Sequence, residues 1–436
     1  MANFIKKMEN YFEMSKYNTT WKTEILAGVS IYLSLAYIFI VNPSIMSQTG
    51  MSTSAVLFAT IFASAFSTLY MGIRANLPFA LAPGLEMNGF FTFVVVGTLG
   101  LTWNQALGAV FWSGILCIIL SLLPVRIKII NSIPNGLKKA MAVSVGIFVI
   151  TIGLFLSGIF EFTDGKISGF GSPFTAKGIA LFIGLFIALI LGIKKLKFPA
   201  GMLVAIIMSA IYCKTQGIVQ TEPAEVSTEM FSAVFKLDLI PTLKILPVFL
   251  IFFLIDFYGS IGKFIGLTAS TNLTEKDGTL PRIEKAIEAD GIGTSVGALV
   301  GTSSIITFVE SSIGIAIGGR TGIVAVVCGI LMILSLVFTP LVGLVPVEAT
   351  AGILLYVGYL IIRDTWEEIG LTKFFYVIAI LMALISLFTF SLDKAMFLGF
   401  FAYSVKQIYE DKKVNWYLAG STILIAIGVI LPYFMK

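Results

Sequence analysis

The chain has 436 residues, of which 57% are hydrophobic and 12% charged, and 29 Lys and Arg stand against 24 Asp and Glu for a formal net charge of +5. A mean hydropathy of +0.98 excludes a soluble globular domain and indicates an all-α polytopic membrane protein. Histidine is absent, which excludes the imidazole proton relay and the commonest metal ligand; Cys117, Cys213 and Cys328 have no CxxC or metal-ligand spacing, so they read as packing residues and neither metal nor cofactor is expected.

Residues 1–24 are polar and of mixed charge, and read as a cytoplasmic N-terminal segment. The first apolar run opens near Ile25 and is long enough to span, so it is expected to stay as the first helix rather than to be cleaved. Apolar runs follow at about 54–73, 79–96, 104–123, 137–158, 177–193, 198–213, 245–268, 289–301, 303–318, 320–343, 347–363, 374–390, 394–408 and 416–434. This predicts about fourteen transmembrane segments. The runs 289–301, 303–318 and 394–408 are short for a hydrocarbon core of ~30 Å and are expected to be half-helices or parts of a hairpin.

The basic residues lie in short loops, where they report orientation rather than a nucleic-acid partner. Lys6, Lys7, Lys16 and Lys22 precede the first helix, and Arg126, Lys128, Lys138 and Lys139 follow the fourth. With these inside, Lys194, Lys195 and Lys197 and the loop with Lys276, Arg282 and Lys285 also fall inside. The 214–244 loop, with Glu222, Glu225, Glu229 and Asp238, falls outside, as does the turn with Glu161 and Asp164. The N-terminus is therefore expected in the cytoplasm of a cell membrane, that of a bacterium by expectation.

Two segments break the apolar pattern: Ala82-Pro83-Gly84-Leu85-Glu86-Met87-Asn88-Gly89 and Thr307-Phe308-Val309-Glu310-Ser311-Ser312-Ile313-Gly314. A carboxylate near the bilayer midplane costs at least ~2.5 kcal/mol, so such residues face a protein cavity and mark a pathway. The broken segments are third and tenth in order. Seven segments apart is an odd number, so a repeat of 25–213 by 245–436 is inverted, the pattern of secondary transporters. Laying Glu86 on Glu310 puts Pro83-Gly84 on Thr307-Phe308, where two half-helix N-termini are expected to meet.

Glu86, Asp256, Lys263, Glu310 and Arg320 are the charged candidates for the membrane interior or its edge. Arg320, after a glycine pair, reads either as a topological anchor or as a structural residue near the site. Lys263 stands seven positions after Asp256, so the two either neutralise each other across two turns or Lys263 snorkels to the interface. Glu310, beside Thr307, Ser311 and Ser312, is the strongest functional candidate. A planar ligand with several donors asks for a carboxylate, an amide and an aromatic face, which Glu310, Asn88 and Phe90, Phe91 and Phe308 supply. That inventory suits a nucleobase better than a sugar or an inorganic anion.

Several stretches resemble the AzgA-like purine permeases, a branch of the nucleobase:cation symporters. They are Thr23-Glu24-Ile25-Leu26-Ala27-Gly28, Ala36-Tyr37-Ile38, Val41-Asn42-Pro43, Leu81-Ala82-Pro83-Gly84 with Asn88, Trp103 to Gly108, and Gly301-Thr302-Ser303 through Glu310-Ser311 to Gly318-Gly319-Arg320-Thr321-Gly322. The resemblance implies two inverted repeats of seven segments, with a core domain (25–123 and 245–343) moving against a gate domain (137–213 and 347–436) and a homodimer through the gate. It implies proton-coupled import of a purine, guanine or hypoxanthine first, with adenine, xanthine and sodium coupling left open. Asn88 and Glu310 would contact the base, joined in this reading by Glu86, Phe90, Phe308, Ser311 and Tyr258. Glu310, Glu86 and Asp256 are the candidates for proton coupling.

The chain departs from that family's pattern in two places. Where the eighth segment of the family reads phenylalanine, aspartate, threonine, any residue, glycine, threonine, this chain has Tyr258-Gly259-Ser260-Ile261-Gly262-Lys263, and Glu86 replaces a glycine two residues before Asn88. Either Glu86 takes over the lost carboxylate's role, paired with Lys263, or Asp256 supplies it from nearly the same helical face. An anion exchanger of the same broad fold is the rival reading and predicts net positive charge between the half-helices. A channel lacks its ring of identical pore residues, and an enzyme lacks any nucleophile-base pair or cofactor motif.

Overall fold

The computed structural model describes residues 2–123, 132–163, 166–192, 199–218, 228–240, 245–268, 273, 280–342, 344–366, 373–411 and 414–434. Arg126, Lys128, Asp164, Lys194, Lys195, Lys197, Glu222, Glu225 and Lys276 of the orientation argument lie outside them.

The order begins with α1 (Ala2–Tyr11), α2 (Trp21–Leu35), α3 (Ile38–Met46) and α4 (Thr53–Tyr70). There follow β1 (Leu81–Pro83), α5 (Leu85–Gly89) running into a wider π-helical stretch Phe90–Thr98, and α6 (Trp103–Leu122). Next come α7 (Asn135–Leu156), the hairpin β2 (Phe160–Thr163) and β3 (Lys166–Phe170), α8 (Ala176–Leu191) and α9 (Gly201–Thr215). The second half has α10 (Ile245–Thr268), α11 (Ile283–Val300), β4 (Ile305–Thr307), α12 (Ser311–Ile317), α13 (Gly322–Leu334) and α14 (Thr339–Val342). It ends with α15 (Ala351–Trp366), α16 (Lys373–Thr389), α17 (Leu392–Asp411) and α18 (Trp416–Phe434). Among the described residues five helical runs are long and apolar enough to cross a membrane: Trp21–Thr49, Thr53–Ala75, Trp103–Leu122, Asn135–Leu156 and Gly322–Leu341.

Two of the runs expected to be short are full-length helices. α11 starts at Ile283, six residues before the apolar run, because its first turns place charges at the surface: Glu288 accepts from the Tyr70 hydroxyl at 2.6 Å and pairs with Arg74 at 3.8 Å. α17 spans Leu392–Asp411, with Asp393 in its first turn accepting from the Ser391 hydroxyl.

The helices pack in two sets. α4 and α6 lie against α11, α2 and α4 against α13, α2 against α12, and α6 against α10; separately, α7 lies against α15 and α16, α8 against α9 and α15, and α17 against α16 and α18. α10 touches both sets, through α6 on one side and α7 and α18 on the other. Close approach depends on small residues, as association within a bilayer does. A Cβ on Gly114 of α6 would stand 2.7 Å from the Gly291 carbonyl of α11, and one on Gly146 of α7 would stand 2.8 Å from that of Gly358 of α15.

Glu24, fully buried, holds the first set together at one end. Its carboxylate accepts from Thr19 Oγ1 (2.7 Å), the Arg320 N–H (2.9 Å), and the N–H (3.1 Å) and hydroxyl (2.7 Å) of Thr321, the N-cap of α13. Asn76 Oδ1 accepts from Gly322 N–H at 2.7 Å. A carboxylate at a helix N-terminus satisfies donors that the helix leaves open. Arg320 in turn donates to the carbonyls of Ile315 (2.6 Å) and Gly319 (2.8 Å), capping the C-terminal end of α12, as a cation there should. Its structural reading holds.

Glu24→Ala leaves these backbone donors buried and unmet, at a cost of about 1–3 kcal/mol for each. The variant should show a clearly lower thermal midpoint in detergent than Glu24→Gln; equal midpoints for both variants and the parent protein would contradict the capping role.

Candidate functional site

β1 and β4 are three residues each, fully buried, and pair antiparallel: Leu81 faces Thr307, Ala82 faces Ile306 and Pro83 faces Ile305. Beyond the strands the pairing continues on both sides, with Gly84 N–H to Ser304 O at 3.1 Å and Phe308 N–H to Ala80 O at 2.9 Å. The sequence offset that lays Glu86 on Glu310 also lays Leu81–Pro83 on Ile305–Thr307, and puts Ala82 on its own partner Ile306.

Extended backbone inside a membrane must find partners in the protein. Here two threonines complete it. Thr68 of α4 accepts from Leu81 N–H (2.9 Å) and donates to Leu81 O (3.1 Å). Thr294 of α11 accepts from Ile305 N–H (3.1 Å), and its hydroxyl lies 3.0 Å from Ile305 O and 2.9 Å from Asp256 Oδ2. Each hydroxyl stands in for a neighbouring strand, one in each half of the chain.

Each strand leads into a helix that carries a carboxylate at its start. Glu86 lies in the first turn of α5, and Glu310 is the N-cap of α12. Glu310 Oε1 accepts from the Tyr37 hydroxyl at 2.8 Å, and Oε2 is buried without a partner among the described residues. Asn88 is fully buried; its Oδ1 accepts from Ser303, and its Nδ2 has no partner among the described residues. An acceptor and a donor are thus left open at the crossing of the strands. Ser311 instead accepts from Ala80 N–H at 3.0 Å and so supports the strand.

α10 contributes Asp256 and Lys263 and packs against α5 and α12, and α11 contributes Asp290. Lys263 Nζ lies 3.3 Å from Glu86 Oε1. Of the alternatives open for Lys263, the pair with Glu86 is the one formed. Asp256, 1% exposed, is bound by Thr294, and Asp290, 1% exposed, accepts from Thr307 Oγ1 at 3.1 Å. Four buried carboxylates, Glu86, Asp256, Asp290 and Glu310, thus gather around the strand pair, with the Lys263 ammonium on Glu86. Unpaired charge in such a set is costly in a low dielectric.

The aromatic candidates separate. Phe308, 6% exposed, lies in the strand-to-helix turn next to Glu310, while Phe90 is fully buried edge-on against Phe252, with centroids 5.0 Å apart. Tyr258 turns away from the polar cluster and shares a 2.9 Å hydrogen bond with Ser421 of α18, its ring near Phe400 of α17. Tyr37, Asp290, Thr68, Thr294 and Ser303 were not selected from sequence. The polar start of α11 concealed Asp290, and single hydroxyls in apolar runs give no signal of their own.

The likeness to known proteins follows the same lines. Residues 22–365 match the model of the permease family designated Xan_ur_permease. The adenine permease AdeP of Escherichia coli is 34% identical over 97% of this chain and 95% of its own. The guanine/hypoxanthine permease PbuG of Bacillus subtilis is 31% identical over 93% of this chain and 95% of its own. In fold, the transmembrane domain of the cyanobacterial bicarbonate transporter BicA superposes with a TM-score of 0.65 at 15% identity, covering 84% of this chain and 96% of that one. With a family match over most of its length and such relatives end to end, the chain belongs to the Xan_ur_permease permease family and is a multi-pass membrane protein.

Proposed function

We propose that this permease imports a purine nucleobase, guanine or hypoxanthine first among them, by proton symport with alternating access. The observation that carries the reading is the open pair at the strand crossing. Glu310 Oε2 is ready to accept ring and exocyclic N–H groups, and Asn88 Nδ2 is ready to donate to a ring nitrogen or carbonyl. Relatives named as adenine and guanine/hypoxanthine permeases support the substrate class.

In this reading the chain forms two inverted seven-segment repeats, 25–213 and 245–436, joined by an extracytoplasmic loop at 214–244, with the third and tenth segments interrupted. The matching offset of β1 and β4, and the paired roles of Thr68 and Thr294, support it. The core, 25–123 and 245–343, moves against the gate, 137–213 and 347–436; the two packing sets follow this division, and α10 with Tyr258 spans the seam. The gate also carries the homodimer contact, and the N-terminus lies in the cytoplasm of a bacterial cell membrane.

Coupling arises because a buried carboxylate accepts a proton together with the base and releases both on the inner side. Glu310 is the first candidate, as it offers the open oxygen; Glu86 and Asp256 complete the acidic set. Phe308 supplies the stacking face.

In proteoliposomes with the outside acidic, uptake of labelled hypoxanthine or guanine should rise with the imposed pH gradient and persist when sodium is replaced by potassium. Glu310→Gln should abolish uptake or its pH dependence; pH-driven uptake at the parental rate in that variant would refute the role. Tyr37→Phe removes one hydrogen bond to a charged group, worth about 1.5–3 kcal/mol, and should weaken apparent affinity about tenfold or more, whereas an unchanged apparent affinity would place Tyr37 outside the site.

A further inference from the structure

Gly259 and Lys263 stand four residues apart on α10, so they share one face of the helix. A Cβ built on Gly259 meets no heavy atom within 4 Å, while at the helix contacts of Gly114 and Gly146 it would meet one within 3 Å. Position 259, partly exposed, therefore has open space beside it that a larger side chain would occupy. Lys263 lies one turn further along, with its ammonium 3.3 Å from Glu86.

An ammonium has three donors and no acceptor. Glu86 Oε1 is its hydrogen-bond partner among the described residues, which leaves N–H groups to be met by an incoming acceptor. α10 packs against both α5 and α12, whose starts carry Asn88 and Glu310, so one ligand can lie near Lys263 and Glu310. A base that gives an N–H to Glu310 Oε2 can therefore turn an adjacent edge toward Lys263. A carbonyl oxygen on that edge projects from the ring and accepts well. An exocyclic amine in its place sets donor against donor beside a positive charge.

We infer that Lys263 contacts an exocyclic oxygen of the bound base, with the space at Gly259 giving it room, and so selects oxopurines over adenine. This rests on the purine reading above and narrows it, and it makes Lys263 and Gly259 specificity-determining residues.

The test is competition of unlabelled hypoxanthine, guanine, xanthine and adenine against labelled hypoxanthine on the purified full-length protein. The parent protein should bind hypoxanthine about tenfold or more tightly than adenine, as expected for a hydrogen bond to a charged donor. Because Lys263→Met alone strands a buried carboxylate, the double variant Glu86→Gln/Lys263→Met is measured beside it, and in both the preference should shrink to about threefold or less. Gly259→Leu, which has room for its Cβ, should weaken binding of every oxopurine. Adenine competing as well as hypoxanthine in the parent protein, or an undiminished preference in the double variant, would overturn the inference while leaving the purine reading intact. Failure of all four bases to bind a monodisperse parent protein would overturn the purine reading, and this inference with it.

Discussion

Six residues of extended backbone, Leu81–Pro83 and Ile305–Thr307, constrain everything around them. Peptide groups in the interior of a membrane protein cannot be left to water, and an unmet one costs several kcal/mol. The two strands pair with each other on one edge, and Thr68 and Thr294 meet Leu81 and Ile305 on the other. This fixes where α4 and α11 must lie, because each supplies a hydroxyl at one defined height. It also fixes the starts of α5 and α12, and therefore the places of Glu86, Asn88 and Glu310.

The same threonine couples the backbone to the charges. Thr294 touches Ile305 and Asp256 at once, and Thr307, within β4, donates to Asp290. A change in the charge of either carboxylate is thereby felt by the strand that leads to Glu310. Such a linkage lets the state of the acidic set and that of Glu310 depend on each other through the strand. Lys263 adds a tethered positive charge to this set, so that the cavity is less negative than its carboxylates alone would make it.

Much of this was legible in the sequence because charge inside apolar runs is expensive and therefore conspicuous. Glu86, Asp256, Lys263 and Glu310 stand out for that reason, and Pro83-Gly84 marks an interruption by its backbone chemistry. The pairing of Lys263 with Glu86 was one of three arrangements the sequence allowed, beside an Asp256 partner across two turns and snorkelling to the interface, and the 3.3 Å contact decides for it. Less legible were groups whose role depends on a partner far along the chain. Tyr37 meets Glu310 across 273 positions and Ser303 meets Asn88 across 215. Asp290 stands at the start of the apolar run read at 289–301, where, two residues after Glu288, its charge did not stand out. Phe90 and Tyr258 show the converse, since Phe90 packs edge-on against Phe252 and Tyr258 shares its hydroxyl with Ser421.

The most direct measurement is a structure of the protein determined with hypoxanthine bound. The arrangement described here predicts a planar ligand at the helix starts that follow β1 and β4, with its N–H edge on Glu310 Oε2 and an acceptor on Asn88 Nδ2, and with these two atoms no longer unpartnered. A base bound elsewhere in the molecule, with Glu310 and Asn88 still turned away from it, would contradict the placement of the site at the strand crossing.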